Sequence, residues 1–135
     1  MIAAALLAAV AILPNGAAFT IEVAADEASR ARGYMFRDHV GPREGMLFVF
    51  DAPGRHGFWM KNCRVPLDLV WLDASRRVVQ IAENAPPCPA EGPCPVVEPM
   101  RPALYVLEFA GGTSRAEGLK VGDTVSIVPD PSKPR

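Results

Sequence analysis

The sequence predicts a mostly β domain of the α+β class: a compact sandwich-like or barrel-like fold of six or seven short strands with one short helix. Three observations carry this. Apolar residues recur with period two in short runs such as "FTIEVA", the spacing of a half-buried strand. Clusters of glycine and proline separate those runs at the short intervals usual in all-β domains. The chain also holds 14 prolines, which interrupt helices but sit well in loops and at sheet edges. At 135 residues a single domain suffices.

The first eighteen residues stand apart. "IAAALLAAVAIL" is an uninterrupted apolar run followed by Pro14, Asn15, Gly16, Ala17 and Ala18. It reads as the apolar core of a secretion signal with cleavage after Ala18, although no Lys or Arg precedes it. The run is short for a membrane span, and the alternative is a buried N-terminal strand or helix. On the signal reading, residues 1–18 fall outside the fold, residues 19–128 form the domain and residues 129–135 form a disordered tail. The protein is then periplasmic or secreted, with no stable membrane span in its mature form.

Within that domain, Phe19, Ile21 and Val23 alternate with Thr20 and Glu22 as the first strand. "DEASRARGYMF" opens with acids and runs through good helix formers to Gly33, a short helix with its stop. "GPREG" is a turn, "MLFVF" a strand and "DAPGRHG" its terminator. "FWMKN" and "LDLVWLD" read as two strands joined through Cys63 to Pro66, and "RRVVQIAE" continues the meander. Residues 84–102 are a long proline-rich excursion, of the length that is usually functional or stapled. "ALYVLEF" resumes strand character, "TSRAEGL" gives one helical turn and "KVGDTVSIV" leads into the last strand.

The excursion carries Cys88 and Cys94 in "PPCPAEGPCP", a loop able to close a disulfide in an oxidising compartment. A zinc half-site would need two more ligands from His39, His56 and Cys63. With the disulfide formed, Cys63 is the odd thiol. Net charge is -1, with 14 basic and 15 acidic residues scattered along the chain. Without a basic stripe, nothing supplies the attraction for a phosphate backbone, so no nucleic-acid partner is expected.

The stretch "FWMKNCRVPLD" combines apolar residues with Lys61, Asn62, Cys63 and Asp68. Read as a hairpin turning between Arg64 and Val65, it places Lys61 opposite Asp68 and Trp59 opposite Val70. Trp59, Lys61 and Asp68 would then form a polar platform for a small polar or anionic ligand, with Asn62 beside it. The plainer reading is a cross-strand ion pair next to a core tryptophan. Arg32 and Arg37 flank the helix stop, where they can reach an anion or pair with a nearby acid. Met35, Met46, Met60, His56 and Cys63 are soft ligands of the kind that select copper(I), though in no recognised spacing. No cofactor motif is present. If the protein is an enzyme, Asp68 with Lys61 is the acid–base pair of a hydrolase or lyase.

The ordered phrases "RARGYMFR", "EGMLFVF", "FWMKNCRVPLDLVWLD", "PCPAEGPCP", "YVLEFAGG" and "GLKVGDTV" resemble the domain of unknown function family number 192, across residues 19–128. The resemblance implies a small, often exported prokaryotic domain with a mostly β fold and no established activity. Its motif residues map onto Arg32, Gly33, Met35, Phe36 and Arg37, then Gly45 and Met46, then Phe58 to Asn62, Pro66 and Asp68. The family pattern has a hydroxyl residue after Asn62 where this chain has Cys63, which weighs against an essential thiol and leaves Lys61, Asn62 and Asp68. Three readings follow: a binding module for a saccharide or cell-envelope group, an acid–base enzyme, or a structural interaction protein. An exposed apolar patch distant from "FWMKN" would favour the last.

Overall fold

The computed structural model describes residues 7–89 and 91–133. Alternation in the sequence sets the main layer. In β2 (Ala18–Ala24), Phe19, Ile21 and Val23 are buried while Thr20 is exposed and Glu22 half-buried. Strand β3 (Glu44–Gly54) lies parallel to β2. Strands β5 (Leu67–Leu72), β6 (Val78–Ala85) and β8 (Ala103–Ala110) add antiparallel neighbours. With β1 (Leu7–Ile12) and β9 (Ser126–Val128) they build one seven-stranded sheet in the order β6-β5-β8-β3-β2-β1-β9.

The sheet curls towards a barrel. Its concave side encloses one core, including Phe19, Ile21, Leu47, Val70, Tyr105, Leu107 and Phe109. The two outermost strands approach at one end only, through a bridge between Arg77 and Thr124. A second core covers the outer side, with Met46, Phe48, Leu67, Leu69, Trp71 and Val106 among its members. Both faces of β5 are therefore covered, and all six of its residues are buried.

A two-stranded ribbon, β4 (Phe58–Trp59) with β7 (Val96–Val97), closes over that outer core. The short helix α1 (Glu27–Arg32) buries none of its residues and lies beside β3, where the Arg30 guanidinium donates to the Val49 carbonyl. Asp26 caps α1: its carboxylate accepts from the Ser29 N–H at 2.7 Å, and its own N–H donates to Ser29 Oγ at 3.3 Å. At Gly33 the backbone turns to φ +47°, which ends the helix. A one-turn helix, α2 (Thr113–Ala116), follows β8.

Four expectations change here. Residues 7–12, set aside as a cleavable signal, form a strand. It pairs along its length with β2 and also with β9, and it buries Ala9 and Ala11 with the adjacent Leu13 in the barrel core. An apolar run of this length satisfies a strand covered by a curved sheet as readily as a signal core. The mostly β class stands, and α2 is the helical turn expected at "TSRAEGL", but the described residues hold nine strands rather than six or seven because β1 and β7 join the expected set. The chain past Val128, expected as a disordered tail, folds back. Asp130 pairs with Arg76 at 3.5 Å, and Pro129 and Pro131 line a small cavity with Ala9, Leu47 and Ile127.

The last change concerns the hairpin. β4 pairs with β7, whereas β5 pairs with β6 and β8, so "FWMKN" and "LDLVWLD" are not cross-strand partners. No helix among the described residues is long and apolar enough to cross a membrane.

Candidate functional site

Two of the expected site residues are committed to the fold. Asp68 has no exposed surface, and its carboxylate takes three backbone N–H groups. Oδ1 accepts from Asn84 at 2.8 Å and Gly112 at 3.0 Å, and Oδ2 from Ser114 at 2.7 Å. Its oxygens thus tie β6 and the start of α2 to β5, which removes Asp68 from any platform with Lys61 and from an acid–base pair. Arg37 forms a bidentate ion pair with Glu22, both contacts at 2.8 Å, and lies 5.1 Å from the centre of the Tyr34 ring. The hydrogen bond to Glu22 holds the Arg37 guanidinium's pKa above its ordinary value.

The other expected residues gather elsewhere. Arg32, Trp59 and Lys61 line a cavity of about 290 Å³ between α1, β3 and β4. Lys61 Nζ sits 5.2 Å from the Trp59 ring centre, a cation–π contact with Trp59 still 44% exposed. Asn62 borders a second, broader cleft of about 640 Å³ that Trp59 and Lys61 share and that reaches the disulfide. Asn62 adopts φ +59° and its carbonyl accepts from the Phe36 N–H at 2.8 Å. Phe36 is held at φ +65° with its ring exposed, a conformation rare for a bulky residue and maintained only by its surroundings.

At the base of the 290 Å³ cavity is a residue that sequence reasoning passed over. Glu108 stands in register with Met46 and Leu69, on the outer side of β8, and is only 4% exposed. No hydrogen bond or ion pair among the described residues reaches its carboxyl, and burial alone pushes its pKa up to about 8. The carboxyl is therefore largely protonated at neutral pH. The signal was present in "YVLEF" as one acid inside an apolar strand, since an ionisable group in such a place must find a partner, lose its charge or serve a site.

The walls around Glu108 are aromatic. Phe48 and Phe58 meet edge to face at 4.9 Å, and Phe50 stacks on His56 at 3.8 Å. Gly33 completes the wall, because a Cβ there would lie 3.1 Å from the Phe48 ring and 3.9 Å from Glu108 Oε1. Arg30 lies at the edge but is engaged by the carbonyls of Ala25 (2.8 Å) and Val49 (2.9 Å). Tyr34 and Cys63 also line the space, and burial together with nearby acid raises the pKa of both, that of Cys63 to about 11. Cys63 is accordingly a protonated thiol at neutral pH, not a poised nucleophile.

The soft-ligand set does not assemble around this cavity. Met35 and Cys63 line it, but Met46 opens onto a separate crevice beside Glu22 and Arg37, and Met60 is buried in the outer core. His56 is hydrogen-bonded to the Ala52 carbonyl at 2.8 Å and stacked on Phe50. Cys88 and Cys94 are joined as a disulfide, and Cys63 is free.

Fold and cavity together define a small, barrel-like β domain with a solvent-open pocket over a buried acid. The chain belongs to the domain of unknown function family number 192, described as "Uncharacterized ACR", whose model matches residues 10–127. The match begins inside β1, in keeping with that strand's place in the sheet. Two crystal structures are similar. One is a protein of unknown function from Novosphingobium aromaticivorans, 35% identical, covering 90% of this chain and 84% of its own, with a TM-score of 0.76. The other is described as a candidate transcription regulator from Sinorhizobium meliloti, 30% identical, covering 93% and 96%, with a TM-score of 0.79. No curated protein matches the chain.

Proposed function

We propose that this protein is a binding domain for a small polar ligand, and that the ligand enters the cavity over Glu108. The observation that carries the reading is Glu108, a residue 4% exposed whose carboxyl has no hydrogen-bond or ion-pair partner among the described residues, at the base of an aromatic-walled space of about 290 Å³. A largely apolar pocket with a few convergent polar groups is the usual form of a ligand site. Here Trp59 supplies a stacking face, Glu108 a hydrogen bond, and Lys61 and Arg32 charge at the mouth. Asp68 and Arg37 have no part in it.

An acid–base enzyme is the second reading, favoured because Glu108 changes charge near neutrality within reach of solvent. An interaction protein is less well supported. Of the exposed apolar side chains, Phe36, Trp59 and Val96 sit at the "FWMKN" ribbon and its partner strand, whereas Val10 and Val128, register partners on β1 and β9, form only a small exposed pair away from it. We place the protein in an oxidising compartment, periplasmic or secreted, on the strength of the Cys88–Cys94 disulfide and not of residues 7–18.

A thermal-shift screen of small polar compounds tests the binding reading. Hits are expected to raise the melting temperature of the wild type, and to raise that of Trp59→Ala and Glu108→Gln by less than half as much. Hits that shift both variants as strongly as the wild type place the ligand elsewhere.

A further inference from the structure

Charge is arranged by depth in this cavity. The one carboxyl at the base, Glu108, faces Phe48, Phe58 and Cys63 from β3, β4 and the segment after it, and Arg30, Arg32 and Tyr34 from α1 and its end. None of the cations pairs with it. Arg30 is held by two backbone carbonyls and lies 5.5 Å from the centre of the Phe50 ring. Lys61 and Arg32 are exposed and stand at the mouth, with Glu27 as the one opposing acid there. The base is thus acidic and ringed by aromatic faces, while the mouth carries a net positive charge.

A simple anion is drawn to that mouth but meets only Glu108 within. A simple cation suits Glu108 and the aromatic faces, whose quadrupoles attract positive charge, yet it must pass Lys61 and Arg32. A molecule bearing both charges satisfies both ends. Resting on the reading of this cavity as a ligand site, we propose that it takes a small zwitterion. Its ammonium group is seated against Glu108 among Phe48, Phe50 and Phe58, and its anionic group is held at the mouth by Lys61 and Arg32. The volume, about 290 Å³, suits a molecule or headgroup of amino-acid size. A free amino acid and the headgroup of an aminophospholipid share this chemistry.

Binding of an ammonium group requires the Glu108 carboxylate, so a proton leaves Glu108 for solvent as the complex forms. Titration calorimetry of the full chain at pH 7, in two buffers of different ionisation enthalpy, reads both affinity and proton release. The probes are L-phenylalanine, O-phosphoethanolamine, phenethylamine and 3-phenylpropionate. One of the two zwitterions is expected to bind at least about tenfold tighter than either singly charged compound, with net proton release. Which of them binds distinguishes a free amino acid from a headgroup. Glu108→Gln is expected to abolish the proton release and weaken that zwitterion about tenfold. Lys61→Ala is expected to weaken the zwitterion but not phenethylamine. If 3-phenylpropionate binds best, or a zwitterion binds without proton release, the proposal is wrong while the pocket remains a ligand site. If all four fail where the broader screen gives cavity-dependent hits, the zwitterion is again excluded; if the screen also fails, the binding reading falls with it.

Discussion

A chain that begins at Phe19 is expected to lose cooperative unfolding. Removing residues 1–18 deletes β1, which forms six residue pairs with β2 and three with β9. It strips Ala9, Ala11 and Leu13 from the barrel core and uncovers one edge of β2, beside Phe19 and Ile21. Burying one leucine side chain stabilises a fold by roughly 1.5–3 kcal/mol, and each ladder hydrogen bond adds about 1 kcal/mol. The combined loss exceeds about 5 kcal/mol, the lower end of what a small domain possesses. Circular dichroism through a thermal ramp checks it, with a chain starting before Leu7 as the control. A sharp transition in the shortened chain, close to the control's, would show that β1 is dispensable and that cleavage after Ala18 is compatible with the fold.

Asp68→Ala is expected to cost on the order of 3–5 kcal/mol, from about 1–3 kcal/mol for each buried donor left unpaired. The donors are the backbone N–H groups of Asn84, Gly112 and Ser114, which cannot move to water without opening the β6 end and the start of α2. Lys61→Ala is the informative contrast. Its side chain is exposed and touches Trp59 alone among aromatic rings, so its loss is expected to change stability by less than about 0.5 kcal/mol. Urea denaturation of both variants separates a structural Asp68 from the Lys61–Asp68 pair inferred from strand alternation. Equal, small losses in the two variants would contradict the structural role.

Alternation made much of the sheet legible. The inward set of β2 and the strand character of β3, β5, β6, β8 and β9 follow from local pattern and turn residues, and Gly33 marks the end of α1 as its type suggests. Pairing was less legible. The run "FWMKN" is next to "LDLVWLD" in sequence, and Arg64 and Val65 make a poor tight turn; in the fold β4 instead finds β7 across the proline-rich excursion. That choice depends on what must cover Phe48 and Trp71, which no local pattern states. Asp68 illustrates the same limit: on an exposed hairpin it would be a surface acid, whereas beneath Gly112 and Ser114 it is a cap for α2. β1 was obscured for a different reason, since an apolar run of small residues fits a signal core and a covered strand equally well. Of the cavity's lining, Trp59, Lys61 and Arg32 were legible by residue type. Glu108 was not, because whether an acid within a strand faces solvent or a pocket is decided by the layers packed on it.

Glu108 is the residue on which the site rests, and its burial has a consequence in the stability of the unliganded protein. Its folded pKa of about 8 lies above the ordinary 4.5. Between those values the unfolded chain gives up the proton and the native protein keeps it, so Glu108 lowers stability progressively as pH rises, levelling above about pH 8. Tyr34 and Cys63, raised as well, titrate only at higher pH, and the lowered Asp26 and Asp130 act in acid. Glutamine cannot ionise and leaves these other groups in place. Urea unfolding of the wild type and Glu108→Gln from pH 5 to pH 9 is therefore the decisive comparison. Glu108→Gln is expected to gain stability over the wild type steadily from pH 5 to pH 8. Parallel profiles would mean that Glu108 is solvated or paired, and the pocket would lose the buried acid that defines it.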